Sequence, residues 1–399
     1  MTSTTLKGVA EEFAADAVLA DDITGFEAPE PHEVSEVLLT GATGFLGAFL
    51  LRDLLAHGLV VHCLVRGPDP VTGLARLREN LRGYELLDGL DLSRVRVHNG
   101  DVAKPRLGMT DAAYAELADR VDAVYHSAAK VNFLTVYKWL RRAVVDATHE
   151  ILRFAGAARA TLHHVSTTGV FLPAEDGVPR GELDRTGPPE DLALGYTKSK
   201  WVAEQLVLEA RRRGVPVTIH RPGQVWGDSR TGACQPNDFV WRFMKGSIQA
   251  GCYPRRFRLR MNMVPIDYVS RAIVALSRDP QALGGVYHQV SPGSLDAADL
   301  LRLLRGAGYE LTELSTLRWM KAVSADVNNS MVPLMRVLVD TEKTELAEFS
   351  DDITRERLKG TDVTCPAIDD RVFAAYVDYF VRQGVLPGPG QAAPPVPKP

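Results

Sequence analysis

The sequence predicts an α/β fold, a doubly wound parallel sheet covered by helices on both faces, and three observations carry that prediction. Seven short apolar runs, "EVLLT", "LVVHCLV", "VRVHN", "DAVYHSA", "TLHHVST", "VPVTIHR" and "GVYHQV", are separated by amphipathic stretches such as "FLGAFLLRDLLAHG" and "WVAEQLVLEARRRG". The runs are nearly continuous in apolar character, as strands buried on both faces must be. The first run passes directly into a glycine-rich turn, "TGATGFLG", that opens a helix, the local pattern with which Rossmann-type sheets begin.

Apolar residues make up 45% and charged residues 24% of the 399. These are the proportions of a globular chain large enough for one elaborated α/β domain or two ordinary ones. The net charge of -4 gives no general attraction to nucleic acid or to an anionic membrane, and neither is expected as a partner. Cys63, Cys234, Cys252 and Cys365 lie far apart, with neither C-x-x-C pairing nor a His/Cys metal spacing. No metal is expected, and a reducing compartment is indicated. The start, "MTSTTLKGVAEEFAADAVLADDI", has acidic residues among its apolar positions and no basic start before an apolar core, which is not a signal peptide. No run has the apolar length of a membrane helix, so a cytoplasmic monomer is the expectation.

In chain order, residues 1–34 are acidic and alanine-rich and end near Pro29 and Pro31, marks of a short helix and a linker. A nucleotide-binding domain is expected over 35–223 and 262–290. The stretches 224–261 and 291–385 read as insertions, forming a smaller, mainly helical, substrate-binding lobe over the carboxyl ends of the strands, where ligands bind in open α/β sheets. From Leu386, "LPGPGQAAPPVPKP" is too rich in Pro and Gly to pack and reads as a disordered tail over 386–399.

In the turn after the first strand, Gly41, Gly44 and Gly47 form G-x-x-G-x-x-G. Glycine there permits a tight turn and close approach of backbone N–H groups to a pyrophosphate, and the helix N-terminus adds partial positive charge. With Thr43, Phe45 and Leu46 these residues are the candidate phosphate cradle. At the end of the second strand an acidic residue would select the 2'-hydroxyl of NAD, whereas "CLVRG" places Arg66 there, with Asp69 only after the turn. A guanidinium suits a 2'-phosphate, so NADPH is the expected cofactor. Arg76 in the next helix is a second candidate for that phosphate, or else a solvated arginine. Asp101 and Val102 end the third strand, where a carboxylate is placed to reach an adenine amino group, or else serves as an ordinary turn residue. Ser127, Ala128 and Ala129 follow the fourth strand and are small enough to admit the cofactor, and Pro222 and Gly223 follow the sixth. His126 is assigned no role.

The fifth strand ends in "HHVSTTGVF", and roughly thirty residues later "GYTKSKWVAEQ" begins a helix, which brings hydroxyls and a Tyr/Lys pair to one cleft at the strand ends. Residues four apart share a helix face, so Tyr196 and Lys200 point together. Carbonyl reduction needs a hydride at carbon and a proton donor at oxygen. Tyr196 is the candidate donor, its phenol pKa lowered by the Lys200 ammonium, which is also a candidate to hold the nicotinamide ribose, and Thr167 is a second hydrogen-bond donor to the oxygen, with Ser166 and Thr168 as competitors. Lys198 and Glu204 are expected on the wet face of the helix. Arg211 to Arg213 need no partner beyond the negative end of that helix. Phe239, Trp241 and Phe243 fit core packing better than an acyl tunnel.

In this order, the glycine turn, the Ser/Thr at the fifth strand and Y-x-x-x-K resemble the extended short-chain dehydrogenase/reductase superfamily. "LVRG", "VYHSAAKVNFLTVYKWLRRA", "YTKSKWVAEQL", "HRPGQVWGDSRTGACQPNDFVWRFMKG" and "NMVPIDYV" cover most of 36–280 and resemble, within it, the thioester reductase domains that terminate nonribosomal peptide and polyketide synthetases and carboxylic acid reductases. "EEFAADAVLADDI" is similar to the linker that joins a carrier domain to such a reductase. One departure stands out: Val144, Val145 and Ala147 occupy positions where the family usually has Asn-Val and a following Gly. The resemblance implies that an acyl or peptidyl thioester on a carrier protein's phosphopantetheine arm takes hydride from NADPH and collapses to an aldehyde, with further reduction to an alcohol left open. The basic run "YPRRFRLR", with Arg255, Arg256, Arg258 and Arg260, is a candidate docking strip for the carrier, against the alternative of a solvated strand face. Other readings are a nucleotide-sugar epimerase or dehydratase, a fatty acyl-CoA reductase, and a non-catalytic NADP-binding regulator.

Overall fold

The computed structural model describes residues 3–30, 32–129, 134–173, 177–255, 260–335 and 347–391, with side chains from residue 10 onward. A seven-stranded sheet organises the first part of the chain. Its strands are β1 (Glu36–Thr40), β2 (Val60–Val65), β3 (Val95–Asn99), β4 (Ala123–His126), β5 (Thr161–Val165), β6 (Val217–Pro222) and a last strand, Val286–Gln289. Each lies on one of the seven apolar runs. All pair in parallel, in the spatial order Val286–Gln289, β6, β5, β4, β1, β2, β3. Val37, Leu38 and Leu39 are fully buried in sequence, because a strand covered on both faces has no solvent side on which to alternate. The strand order reverses between β1 and β4, where Thr40 lies beside His126. Strands leaving that point in opposite senses open a crevice at their carboxyl ends.

The helices that flank this sheet are α1 (Ser3–Asp16), α2 (Phe45–Ala56), α3 (Pro70–Gly83), α4 (Asp111–Ala118), α5 (Tyr137–Arg141), α6 (Ala147–Ala158) and α7 (Gly195–Arg212). A π-helical turn over Arg142–Asp146 joins α5 to α6. Val144 is buried in it and Ala147, which opens α6, is fully buried, so the two positions that depart from the family pattern serve as apolar packing.

The N-terminal segment is more than a helix and a linker. Phe13, Leu19 and Ile23 are buried in the same apolar cluster as residues of α6 and α7, and the Phe13 ring meets Tyr137 edge-on at 4.8 Å. Asp16 accepts hydrogen bonds from the Tyr137 hydroxyl at 2.6 Å and from Arg141 at 2.8 Å. Arg213 donates to the carbonyls of Leu19, Ala20 and Ile23, and Arg211 to that of Gly284. The arginines at the end of α7 therefore do more than answer its dipole. They fix the chain on either side of it.

The chain divides into two compact units, one of Met1–Gly223, Tyr268–Gln289 and Phe349–Thr364, the other of Gln224–Asp267, Val290–Glu348 and Cys365–Pro399. The return of Phe349–Thr364 to the sheet unit is not visible in the sequence pattern. A short helix, Asp352–Leu358, lies in it, and Thr354 is the anchor. Its N–H and hydroxyl donate to buried Glu182 at 2.9 and 3.0 Å, while the His288 N–H donates to its oxygen at 2.9 Å.

The second unit has an aromatic centre. Trp241 stacks on Trp226 at 5.3 Å and on Phe373 at 5.7 Å, and meets Phe380 edge-on at 4.6 Å. Trp241 and Phe243 are thus core residues. Of the basic run, Arg256 and Arg258 lie outside the described residues, and Arg260 pairs with Glu348 at 2.7 Å. Leu386 is buried, and the Pro387 carbonyl accepts the Tyr309 hydroxyl at 2.7 Å, so the C-terminal stretch packs at its start; residues beyond Gln391 lie outside the described ones. Among the described residues no helix is long and apolar enough to cross a membrane, and no cluster of metal-ligating side chains occurs.

Phe13→Ala should lower the free energy of urea unfolding by about 3 kcal/mol, the usual cost of emptying a buried aromatic site. A linker that merely led into the domain would leave the unfolding curve unchanged.

Candidate active site

The glycine turn sits where β1 ends. Gly41 has φ of +81°, a left-handed conformation, and a Cβ there would stand 2.8 Å from the Ala128 nitrogen, so only glycine fits against the end of β4. At Gly47 the space is tighter still: a Cβ would lie 2.0 Å from the Gly41 carbonyl oxygen. This is close helix-to-turn packing, and it brings the start of α2 onto the strand end. No acidic residue occupies the first turn of α2, and no side chain caps it. Its N–H groups and the positive end of its dipole remain available to an anion. From α3, Asn80 braces the turn through the carbonyls of Ala42 and Gly44. Thr43, Phe45 and Leu46 lie on this turn and first helical turn, half-buried.

Arg66 follows β2 and is exposed. The Arg76 guanidinium donates to the Arg66 carbonyl, which brings two cationic side chains to one corner. Asp69 accepts from the Thr72 N–H at 2.8 Å and hydroxyl at 2.9 Å as the N-cap of α3. The first carboxylate after β2 is therefore spent on helix capping. Asp101 closes an Asx turn, accepting from the Ala103 N–H at 3.1 Å, and Val102 packs against the apolar cluster. Ser127 and Ala128 are half-buried and Ala129 is exposed; the Ala128 N–H donates to Thr40, which also pairs with the His126 ring at 2.8 Å. His126 is thus a satisfied strand-end residue, and burial pushes its pKa down to about 3.

At the end of β5 the three hydroxyls separate by their bonds. Ser166 donates inward to Glu204 at 2.5 Å, and Thr168 donates to the Pro222 carbonyl at 3.4 Å. Thr167 instead accepts, from the Gly169 N–H at 3.1 Å. Having accepted, its hydroxyl keeps a proton to give, and among the described residues no acceptor takes it. Gly223, which follows Pro222, donates to the Gln289 carbonyl at 3.0 Å. This holds the end of β6 to the last strand.

Tyr196 and Lys200 stand one turn apart on α7. Gly195 is needed before them, since a Cβ there would come within 2.5 Å of the Thr135 carbonyl oxygen. Gly169 brings the Thr167 turn to the same helix: its Cβ would lie 2.9 Å from the Thr197 methyl. Lys200 is 3% exposed and donates to the Val165 carbonyl at 2.6 Å. Burial lowers its pKa to about 8, against an opposing pull from Glu204. Burial likewise pushes the Tyr196 phenol up to about 12. That is the reverse of the fall expected from its lysine neighbour, and it leaves the phenol fully protonated at neutral pH, the form a proton donor needs.

Two helix-face expectations are overturned. Lys198 is half-buried, lies over the Phe13 ring at 5.6 Å and donates to the Glu190 carbonyl. Glu204 is fully buried and holds Arg221 in a two-pronged ion pair whose shortest contact is 2.6 Å. The spacing already contained the second result, because a residue four after Lys200 shares its face.

Residues 39–273 match the NAD-binding family described as male sterility protein. Over 393 residues the chain is 40% identical to a component of the linear gramicidin synthase of Brevibacillus parabrevis, a match covering 95% of this chain and 8% of that protein. Over 298 residues it is 42% identical to glycine betaine reductase ATRR of Emericella nidulans, covering 72% of this chain and 23% of the relative. The chain thus spans less than a quarter of either protein. Among solved structures it superposes on the terminal R domain from the myxalamid PKS-NRPS biosynthetic pathway with a TM-score of 0.87 at 38% identity, over 96% of this chain and 100% of that one. The reductase (R) domain of a nonribosomal peptide synthetase from Mycobacterium tuberculosis gives 0.77 at 25% identity, over 94% and 99%. A reductase-domain structure matched along its whole length, together with the NAD-binding family match at the glycine turn and the Tyr/Lys helix, places this chain among the reductase domains of nonribosomal peptide synthetases, within the extended short-chain dehydrogenase/reductase superfamily.

Proposed function

We propose that the domain releases an acyl or peptidyl chain, held as a thioester on a carrier protein's phosphopantetheine arm, by reducing it to an aldehyde at the expense of NADPH. The observation that carries this reading is the pair of proton-bearing groups brought to α7 and the strand end beside it: Thr167, whose hydroxyl accepts from Gly169 and keeps its proton, and Tyr196, a phenol protonated at neutral pH one turn before Lys200. The glycine turn, with its left-handed Gly41 and uncapped α2, fits a dinucleotide pyrophosphate. NADPH bound there supplies the hydride.

The chain's own residues do the rest. Gly41, Gly44 and Gly47, with the N–H groups of Phe45 and Leu46, would hold the pyrophosphate. Arg66 and Arg76 favour a 2'-phosphate, since they bring two cations to the corner after β2, while Asp69 faces the Thr72 N–H and hydroxyl as the α3 cap. Asp101, already turned to the Ala103 N–H, would meet the adenine, and Ser127, Ala128, Ala129, Pro222 and Gly223 would border the nicotinamide side. Thr167 and Tyr196 donate hydrogen bonds to the thioester oxygen as negative charge builds on it, which is where such donors act most strongly. Tyr196 passes its proton to that oxygen, giving a thiohemiacetal. Breaking its carbon–sulfur bond moves the hydroxyl proton to sulfur, freeing an aldehyde and a thiol, and Tyr196 regains a proton from water. The Lys200 ammonium stabilises the phenolate left behind and is the electrostatic support of the step.

Incubation with NADPH and acyl-pantetheine thioesters should consume one NADPH per aldehyde, followed by nicotinamide absorbance and mass spectrometry; an epimerase or dehydratase would recycle its cofactor and show no net oxidation. Tyr196→Phe should lose about 10²- to 10⁴-fold in rate, the range of a positioned proton donor, and a variant at full activity would refute the mechanism.

Arg66→Gln should raise KM for NADPH by about tenfold while leaving KM for NADH unchanged, as loss of a charge-assisted contact to a phosphate requires; equal effects on both would remove Arg66 from the phosphate site. Because Lys200 is an ammonium only below its lowered pKa of about 8, the rate should fall as pH rises past that value, measured as kcat/KM for the thioester.

A further inference from the structure

We propose that buried Glu204 is a positioning residue for this reduction, clamping the strand end that carries Thr167 to the helix that carries Tyr196 and Lys200 and keeping Lys200 charged. The proposal rests on the roles given above to Thr167, Tyr196 and Lys200. Three consecutive residues leave β5, and two of them are tied to the stripe of α7 on which Tyr196, Lys200 and Glu204 recur every fourth position. The Val165 carbonyl takes the Lys200 ammonium at 2.6 Å, and the Ser166 hydroxyl donates to Glu204 at 2.5 Å. Thr167 comes next, and the Ser166 N–H is fastened to the His220 carbonyl at 2.6 Å. The strand end is therefore held from β6 on one side and from α7 on the other.

Glu204 is itself fixed in place. Arg221 on β6 grips both of its oxygens and also donates to the Glu182 carbonyl at 3.0 Å, with its guanidinium over the Phe171 ring at 4.8 Å. A carboxylate fully removed from water and bonded by a serine and an arginine has little freedom to move. Ser166 thus transmits the position of α7 to the residue before Thr167.

Glu204 also sets the charge around Lys200. The groups that face this ammonium are the neutral Tyr196 phenol and Glu204, one turn to either side on its own helix, His126 from β4 and His164 from β5, with Arg221 behind Glu204. Burial holds both histidines neutral, His126 down to about 3 and His164 well below the usual range. Glu204 is therefore the one anion in this group. Removing its charge leaves Arg221 and Lys200 as neighbouring cations in the interior, which drives Lys200 toward the neutral amine.

The test is an NMR titration of the full chain carrying lysine labelled with ¹³C at the ε-carbon, without NADPH, the Lys200 signal being assigned by its loss in Lys200→Met. The wild-type signal should titrate near 8 and that of Glu204→Gln at least about one pH unit lower. Ser166→Ala keeps the charge, so its Lys200 titration should match wild type; losing a hydrogen bond to a buried carboxylate lowers its melting temperature by a few degrees, while kcat, measured well below that temperature, falls about tenfold through misplacement of Thr167. An unmoved Lys200 titration in Glu204→Gln, or wild-type kcat in Ser166→Ala, overturns the proposal even while Tyr196→Phe still abolishes reduction. Full activity in Tyr196→Phe instead removes the reading on which the proposal stands. If Glu204→Gln does not fold, the kcat of Ser166→Ala decides by itself.

Discussion

A lysine ammonium taken out of water is the constraint around which this site is built. Burial alone drives Lys200 toward the neutral amine, and the effective penalty for an unpaired buried ion is several kcal/mol. The fold answers with a carbonyl at the end of β5 and a carboxylate one helical turn further along α7. That carboxylate creates the next demand, met by Arg221, whose remaining N–H groups require the Glu182 carbonyl. The Glu182 carboxylate is met in turn by Thr354. Each partner exists because the one before it was buried. Breaking such a pair from one side typically costs about 3–5 kcal/mol, so the chemistry and the stability of the sheet unit draw on the same few residues.

The sheet was legible in the sequence because its signals are local. Seven apolar runs, a glycine turn and a Tyr/Lys spacing each lie within a dozen residues, and the physics that reads them is strand burial, left-handed backbone and helical periodicity. Gly41 and Gly47 stand where the pattern put them, with a steric reason at each. What escaped the sequence was long-range pairing. Glu204 looked like a wet helix residue because its partner lies on another strand. The N-terminal segment looked like a linker because Phe13 and Asp16 meet Tyr137 and Arg141 more than a hundred residues later.

The direction of the Tyr196 shift shows a different limit. Residue identity supplied the lysine and suggested a lowered phenol, but the balance between burial and a neighbouring charge depends on where that charge is anchored. Desolvation is what moves the Tyr196 phenol, and the Lys200 ammonium is bonded to the Val165 carbonyl. A donor held protonated is the right starting state for reduction, and the lysine matters most at the moment the proton leaves.

The return of Phe349–Thr364 bears on how such domains can be recombined. The sheet unit is discontinuous, and its pieces meet at Thr354, whose N–H and oxygen satisfy groups on two separate earlier segments. A graft that exchanged everything after Gln289 for the corresponding stretch of a relative would import a foreign plug for Glu182 and His288 along with the new lobe. Hybrids cut at Gln289/Val290 and again at Glu348/Phe349 would keep the native plug, but Gln224–Asp267 and Cys365–Pro399, the other two pieces of the second unit, would have to be exchanged with the lobe for its own core to stay whole.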